Sequence, residues 1–207
     1  MNQVVRPPMT IDTPDTSLVL PFQRPLYRFT VDQYHRMVEA GILNDNDRVE
    51  LLKGWVVEKM PQNPPHSSSI TRVNRRLSRV LPDEWILQVQ GPITLQHSEP
   101  EPDFAVVRGP EETYLKRHPT PKDVAVLLEV ADSSLLDDRL LKATLYAEAR
   151  IAEYWIVNLV DKVIEVHSAP RGGQYRKKKV YAVGESVPLV LDGEEIAVFA
   201  VKDFVGS

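Results

Sequence analysis

At 207 residues, 43% apolar and 26% charged, the chain holds material for about one to one and a half ordinary domains, which disfavours both two independent domains and a mostly disordered chain. It has no cysteine, which excludes disulfides, thiolate nucleophiles, zinc fingers and cysteine-held iron–sulfur clusters, and suits a reducing interior. A net charge of −4 supplies no global positive field, so any binding to nucleic acid must come from local basic patches.

Residues 1–25 hold five of the seventeen prolines and no apolar periodicity, and read as a flexible Pro-rich arm ahead of a single domain over residues 26–207. No apolar run approaches the ~20 residues that span a bilayer, so a cytoplasmic protein without a membrane partner is expected. Thr30-Val31-Asp32-Gln33 has the spacing of a capping box and predicts a helix that stops at Gly41. The β-rich runs Arg48 to Leu52 and Trp55 to Met60, separated by Lys53-Gly54, predict a hairpin with Glu50 in its first strand. After a Pro-rich turn at Pro61 to Pro65, Ile70, Val73, Leu77 and Val80 recur at helical spacing. Arg72, Arg75, Arg76 and Arg79 fall on another face of that helix, which Leu81-Pro82 ends. Strands follow at Trp85 to Gln90 and Ile93 to Leu95. Pro100 and Pro102 cannot donate amides, so pairing resumes at Asp103, which opens the strand Phe104 to Val107.

Asp123 to Val130 is almost continuously apolar, the pattern of a central strand covered on both sides. A capping box at Ser134 to Asp137 predicts a helix to about Arg150, with Leu136, Leu140, Ala143 and Ala147 on a buried face. The strand Glu153 to Val157 completes a βαβ unit with parallel strands. Lys162 to His167 reads as its hairpin partner, and Gly172-Gly173 introduces further β segments. The expected fold is α/β, a mixed central sheet flanked by helices.

An acid near the C-terminal end of a covered strand needs a cation, a metal or several hydrogen bonds, which singles out Glu129; a capped or salt-bridged acid is the plainer alternative. On the next helix Arg139, Lys142 and Tyr146 share one face, and helical side chains lean toward the N-terminus, so the Lys142 amine can return toward Glu129 or pair with Asp138. If their strands are adjacent, Asp103 and Glu129 suit a hard divalent cation such as Mg²⁺. The five histidines are scattered, without the paired spacing of a zinc site. Among them His66 stands out, at the start of the basic helix. No phosphate-binding glycine loop, dinucleotide fingerprint or nucleophile elbow is present, which argues against a kinase, a dehydrogenase and a serine hydrolase.

Glu50 in a hairpin, Pro102-Asp103 opening a strand, Glu129-Val130 ending another, and Asp138-Arg139 followed by Lys142 and Tyr146 together resemble the Uma family of putative restriction endonucleases, within the PD-(D/E)XK nuclease superfamily. The resemblance extends from Tyr27-Arg28-Phe29-Thr30 through Tyr154-Trp155-Ile156-Val157. It implies a restriction-endonuclease-like core that cleaves DNA with Mg²⁺ or Mn²⁺. Asp103 and Glu129 would be the metal ligands, Glu50 a supporting acid, Lys142 the group beside the attacking water and Tyr146 a substrate contact. One departure stands out: the superfamily lysine two residues beyond the second acid is replaced by Ala131, and Lys142 looks like its migrated substitute. Arg72, Arg75, Arg76 and Arg79, with a second cluster at Arg171, Arg176, Lys177, Lys178 and Lys179, can neutralise phosphates or simply be solvated. A symmetric dimer would suit cutting both strands of a duplex, although no residue specifies one. The rival reading is a catalytically inactive nucleic-acid-binding or assembly protein on the same fold; a plain structural domain would leave Asp103 and Glu129 pointing apart.

Overall fold

The computed structural model describes residues 26–44 and 46–206, and the arm expected over residues 1–25 lies outside them. Helix α1 (Val31–Glu39) opens on the capping box: the Gln33 amide donates to the Thr30 hydroxyl at 3.2 Å, and the Thr30 amide donates to the Gln33 side chain at 2.9 Å. Strands β1 (Val49–Leu52) and β2 (Trp55–Glu58) form the expected antiparallel hairpin. Its turn needs Gly54, which has φ +84° and lies so close to Arg28 and Phe29 that a Cβ would meet Arg28 Cβ at 2.8 Å.

Helix α2 (Pro64–Leu77) begins inside the segment that the sequence suggests is a turn. Pro64 and Pro65 occupy its first turn, where a missing N–H removes no intrahelical bond, and the Asn63 side chain accepts from the His66 amide at 3.1 Å. The helix ends at Leu77, so Val80 reaches the core from beyond it.

The main sheet runs in the order β3 (Trp85–Val89), β4 (Phe104–Arg108), β5 (Val124–Ala131), β6 (Glu153–Asn158), β7 (Val163–Pro170), β8 (Tyr175–Ala182). Only the β5–β6 pair is parallel, which makes this the mixed sheet expected. Because side chains alternate along a strand, the sheet has two buried faces. Phe104, Val106, Leu128 and Trp155 meet Val73 and Leu77 of α2 on one, while Ala105, Leu127, Tyr154 and Ile156 meet the β5–β6 crossover on the other. The expected strand at Ile93 to Leu95 is instead a loop, whose amides donate to Pro100 and Ser98 carbonyls.

The crossover is not one regular helix. Helix α3 (Leu135–Asp137) passes through a π-helical turn (Asp138–Lys142) into α4 (Ala143–Glu148). No capping box forms at Ser134, whose hydroxyl donates to Asp138 Oδ2 at 2.7 Å. The wider turn changes the helical phase, so Leu136 and Leu140, expected to be buried, are 69% and 62% exposed, whereas Ala143 and Ala147 are buried.

Beyond β8, which forms one edge of the sheet and carries Arg176, Lys177, Lys178 and Lys179, strands β9 (Ser186–Leu191) and β10 (Glu194–Ala200) make a separate hairpin. Helix α5 (Lys202–Val205) then inserts Phe204 against Trp155 and Phe199. Among the described residues no helix is long and apolar enough to cross a membrane. Phe204→Ala should cost about 3–5 kcal/mol, because it empties a fully buried aromatic site. Urea denaturation followed by far-UV circular dichroism reads this directly, and an unchanged midpoint would show that α5 adds nothing to the core.

Candidate active site

The site starts from strand register. Phe104 pairs with Leu128 in the antiparallel β4–β5 ladder, and one step further places Asp103 across from Glu129. There the side chains take over from the backbone. The Val130 amide donates to Asp103 Oδ2 at 2.9 Å, and the Asp103 amide reaches Glu129 Oε2 at 3.3 Å. The two acids therefore sit side by side, facing the crossover helices rather than opposite surfaces.

Glu50 reaches the same place from β1. Its Oε2 accepts from the Glu101 amide at 3.0 Å, and the Glu99 amide ties that segment to the Leu51 carbonyl at 2.7 Å. Lys142, at the end of the π-helical turn, donates to Glu129 Oε1 at 2.8 Å and lies 3.7 Å from Asp138 Oδ1. Both pairings considered for this lysine are thus present. Glu50, Asp103, Glu129, Asp138, Lys142 and His66 line one open cavity of about 800 Å³, shared with Arg48 and Lys59.

The remaining expected residues fall elsewhere. Tyr146, expected to contact substrate, is fully buried and instead donates to Glu129 Oε1 at 2.9 Å, so it orients the acid from behind. Arg139 does not share its face: the wide turn sends it to Glu165 and Asp161. Arg72, Arg75, Arg76 and Arg79 are not part of the cavity wall. Arg72 donates to the Phe204 carbonyl at 3.2 Å and Arg76 to Asp203 at 3.0 Å, which fastens α5 to α2, while Arg75 and Arg79 are exposed. Arg48 and Lys59 are cavity residues without a signal in the sequence, whereas Asp138, which the sequence offers as a partner of Lys142 and in the Asp138-Arg139 motif, was not assigned to the site.

Electrostatics distinguish this cavity from an ordinary ion-pair cluster. Buried Glu165 is gripped by Arg139, Lys178 and Asn158, and these contacts overcome the cost of burial to hold its carboxyl down at about 2. Glu129 behaves oppositely. Burial, with the charges of Asp103 and Asp138, outweighs Lys142 and pushes it up to about 8. Asp138 is raised chiefly by burial, with Asp103 adding to it, and among the described residues its Oδ1 is buried without a hydrogen-bond partner. Burial works against the Lys142 ammonium, but the surrounding Glu129, Glu50 and Asp138 more than compensate, so it is raised too. Glu129, Asp138 and Lys142 thus all move upward, the two acids chiefly through burial and the lysine through the carboxylates around it. His66 follows the same rule: burial lowers it, but its 3.1 Å contact with Asp103 and the nearby acids leave it raised.

Several carboxylates around an oxygen that accepts no hydrogen bond suit a hard divalent cation. Asp103, Glu129, Glu50 and Asp138 are the buried acids that line this cavity. A second group forms away from this cavity. His35 and His118, expected to stand apart, converge on Glu99, because residues distant in the chain are brought together by the packing of α1 and the His118 loop around it.

A family model described as Uma2, putative restriction endonuclease, matches residues 31–198. Among solved structures, a putative nuclease belonging to DUF820 from Anabaena variabilis ATCC 29413 shares the fold, with a TM-score of 0.65 and 14% identity, over 86% of this chain and 97% of that one. No curated protein matches. On folding, burial moves the Glu129 carboxyl upward from 4.5 toward about 8. The native state then binds more protons across that interval, and stability falls as pH climbs through it. Thermal melts of EDTA-treated protein at steps between those two values should show a declining Tm, and Glu129→Gln should flatten the decline; an equal slope in the variant would place the titration elsewhere.

Proposed function

Since the chain belongs to the Uma2 family of putative restriction endonucleases, we propose that it is a metal-dependent endonuclease that hydrolyses DNA phosphodiester bonds in the cavity around Asp103 and Glu129. The observation that carries this reading is the gathering of the buried acids Asp103, Glu129 and Asp138 around Lys142, an arrangement that is costly for stability and suited to a cation. In this reading Asp103 and Glu129 are the metal ligands, with Glu50 and Asp138 as supporting acids, and the cation is Mg²⁺ or Mn²⁺. A cation of this kind, when bound, offsets the charge of the scissile phosphate and lowers the pKa of its water.

The chain's own residues do the rest. The Val130 amide and His66 Nε2 fix Asp103 Oδ2, and Tyr146 fixes Glu129 Oε1, so neither acid must reorganise when substrate arrives. Burial keeps Tyr146 as a neutral phenol, and the charge of Glu129 does so further, which preserves it as a donor. Lys142 spends one N–H on Glu129 and, lying in the cavity wall, keeps others to orient the attacking water or meet charge on the phosphate. It thereby supplies the positive charge that the buried Ala131 cannot. Arg75, about 13 Å along the α2 axis from His66, and Arg79, in the turn just beyond the helix, are the arginines left for duplex phosphates.

The rival, a nucleic-acid-binding protein without catalysis, is favoured by the grip of Lys142 and Tyr146 on the same oxygen of Glu129. Nicking of supercoiled plasmid with Mg²⁺, Mn²⁺ or EDTA separates the two. Cleavage should require metal, be abolished by Asp103→Ala and Glu129→Ala with circular dichroism unchanged, and fall about 10²–10³-fold in Lys142→Ala. DNA binding without metal-dependent nicking would favour the rival, and undiminished turnover in both acid variants would exclude the site. Arg75→Ala with Arg79→Ala should reduce the salt dependence of DNA binding by up to about two phosphate contacts; an unchanged slope removes these two arginines from the interface.

A further inference from the structure

We propose that His35, Glu99 and His118 form a second metal site, for a Zn²⁺-like transition-metal ion, outside the acidic cavity. Their ligand atoms lie within 4.8 Å of one another. His35 Nε2 is 2.7 Å from Glu99 Oε1, and His118 Nε2 is 3.6 Å from the same oxygen. Ligands at ~2.0–2.1 Å from a tetrahedral zinc are about 3.3 Å apart, a separation these two distances bracket. Small movements of the two imidazoles would open the ion's place.

The site is built, not merely crowded. Glu99 is only 3% exposed, and its other oxygen, Oε2, accepts from the Thr94 hydroxyl at 3.1 Å, the type of outer contact that fixes a metal-binding carboxylate. The Thr94 amide also donates to the Pro119 carbonyl at 2.8 Å, which secures the loop carrying His118 beside the same threonine. His35 comes from the middle of α1, whose capped start fixes its rotation. The imidazoles are 38% and 45% exposed, so an ion can enter from solvent and retain water in a fourth position.

Donor chemistry selects the ion. Two imidazoles and one carboxylate suit zinc and its first-row neighbours, whereas Mg²⁺ prefers oxygen alone. A bound ion would tie α1, the Glu99 segment and the His118 loop together. Glu101, two residues from Glu99, donates its amide to Glu50, so this tie would steady the shelf on which Glu50 stands. The proposal does not depend on nuclease activity, because none of its three residues lines the acidic cavity.

The test uses Asp103→Asn/Glu129→Gln protein, stripped with EDTA, so that the two proposed cavity ligands cannot supply the signal, and the histidine variants assign what remains. Calorimetric titration with ZnCl₂ should find one equivalent bound, Co²⁺ should give tetrahedral visible absorption, and Tm should rise by about 5–10 °C at a hundred times Kd. Adding His35→Gln or His118→Gln should weaken Zn²⁺ binding by at least about tenfold and abolish the Co²⁺ bands. Absence of stoichiometric Zn²⁺ binding, or binding unaffected by either histidine change in a folded variant, would overturn the proposal and leave an ordinary histidine–glutamate contact. Failure of plasmid nicking would bear on the acidic cavity alone.

Discussion

Setting Asp103 across from Glu129 at the end of an antiparallel ladder places two acids in a buried space with too little positive charge to match them. Much of the surrounding structure answers that constraint. Val130 gives its amide to Asp103 where a strand would ordinarily receive a backbone carbonyl, and the crossover widens into a π-helical turn that brings Lys142 and Tyr146 onto one oxygen of Glu129. The regular elements are the scaffold, and the departures from regularity cluster where charge must be managed.

Glu165 provides the internal contrast. It is as little exposed to solvent as Glu129 but less deeply packed, and with Arg139, Lys178 and Asn158 satisfying it from three elements its carboxyl is driven down rather than up. Low solvent exposure alone therefore does not set the direction of the shift; depth of packing and the local balance of donors do. A sequence displays both glutamates in similar apolar strands and does not display their partners.

What could be read in advance follows from the range of each interaction. The Thr30 box, the β1–β2 hairpin, the covered β5 strand and the pairing of β6 with β7 are local or strongly patterned, and each has its expected form. Asp103 and Glu129 were legible as neighbours once their strands were taken as adjacent. The errors came from rules that distant parts of the chain override. Pro64 and Pro65 resemble a turn until the Asn63 cap turns them into a helix start, and Arg72 and Arg76 resemble a free basic face until α5 arrives from more than a hundred residues away. Leu136 and Leu140 fit a buried face only for a helix of uniform pitch, which the π-helical turn denies them. Convergence of His35 and His118 on Glu99 leaves no local signal at all, since three separate segments contribute one side chain each.

The charged edge of the main sheet has a consequence of its own. Strand β8 presents Arg176, Lys177 and Lys179 along its exposed border, with Lys178 turned to Glu165 and Lys179 resting over the Tyr181 ring. A bare strand of this length would offer a template on which other chains could add end over end, as in fibrils. Like charge on two such borders opposes their pairing, which is how an edge strand of this kind resists becoming the seed of a continuous intermolecular sheet.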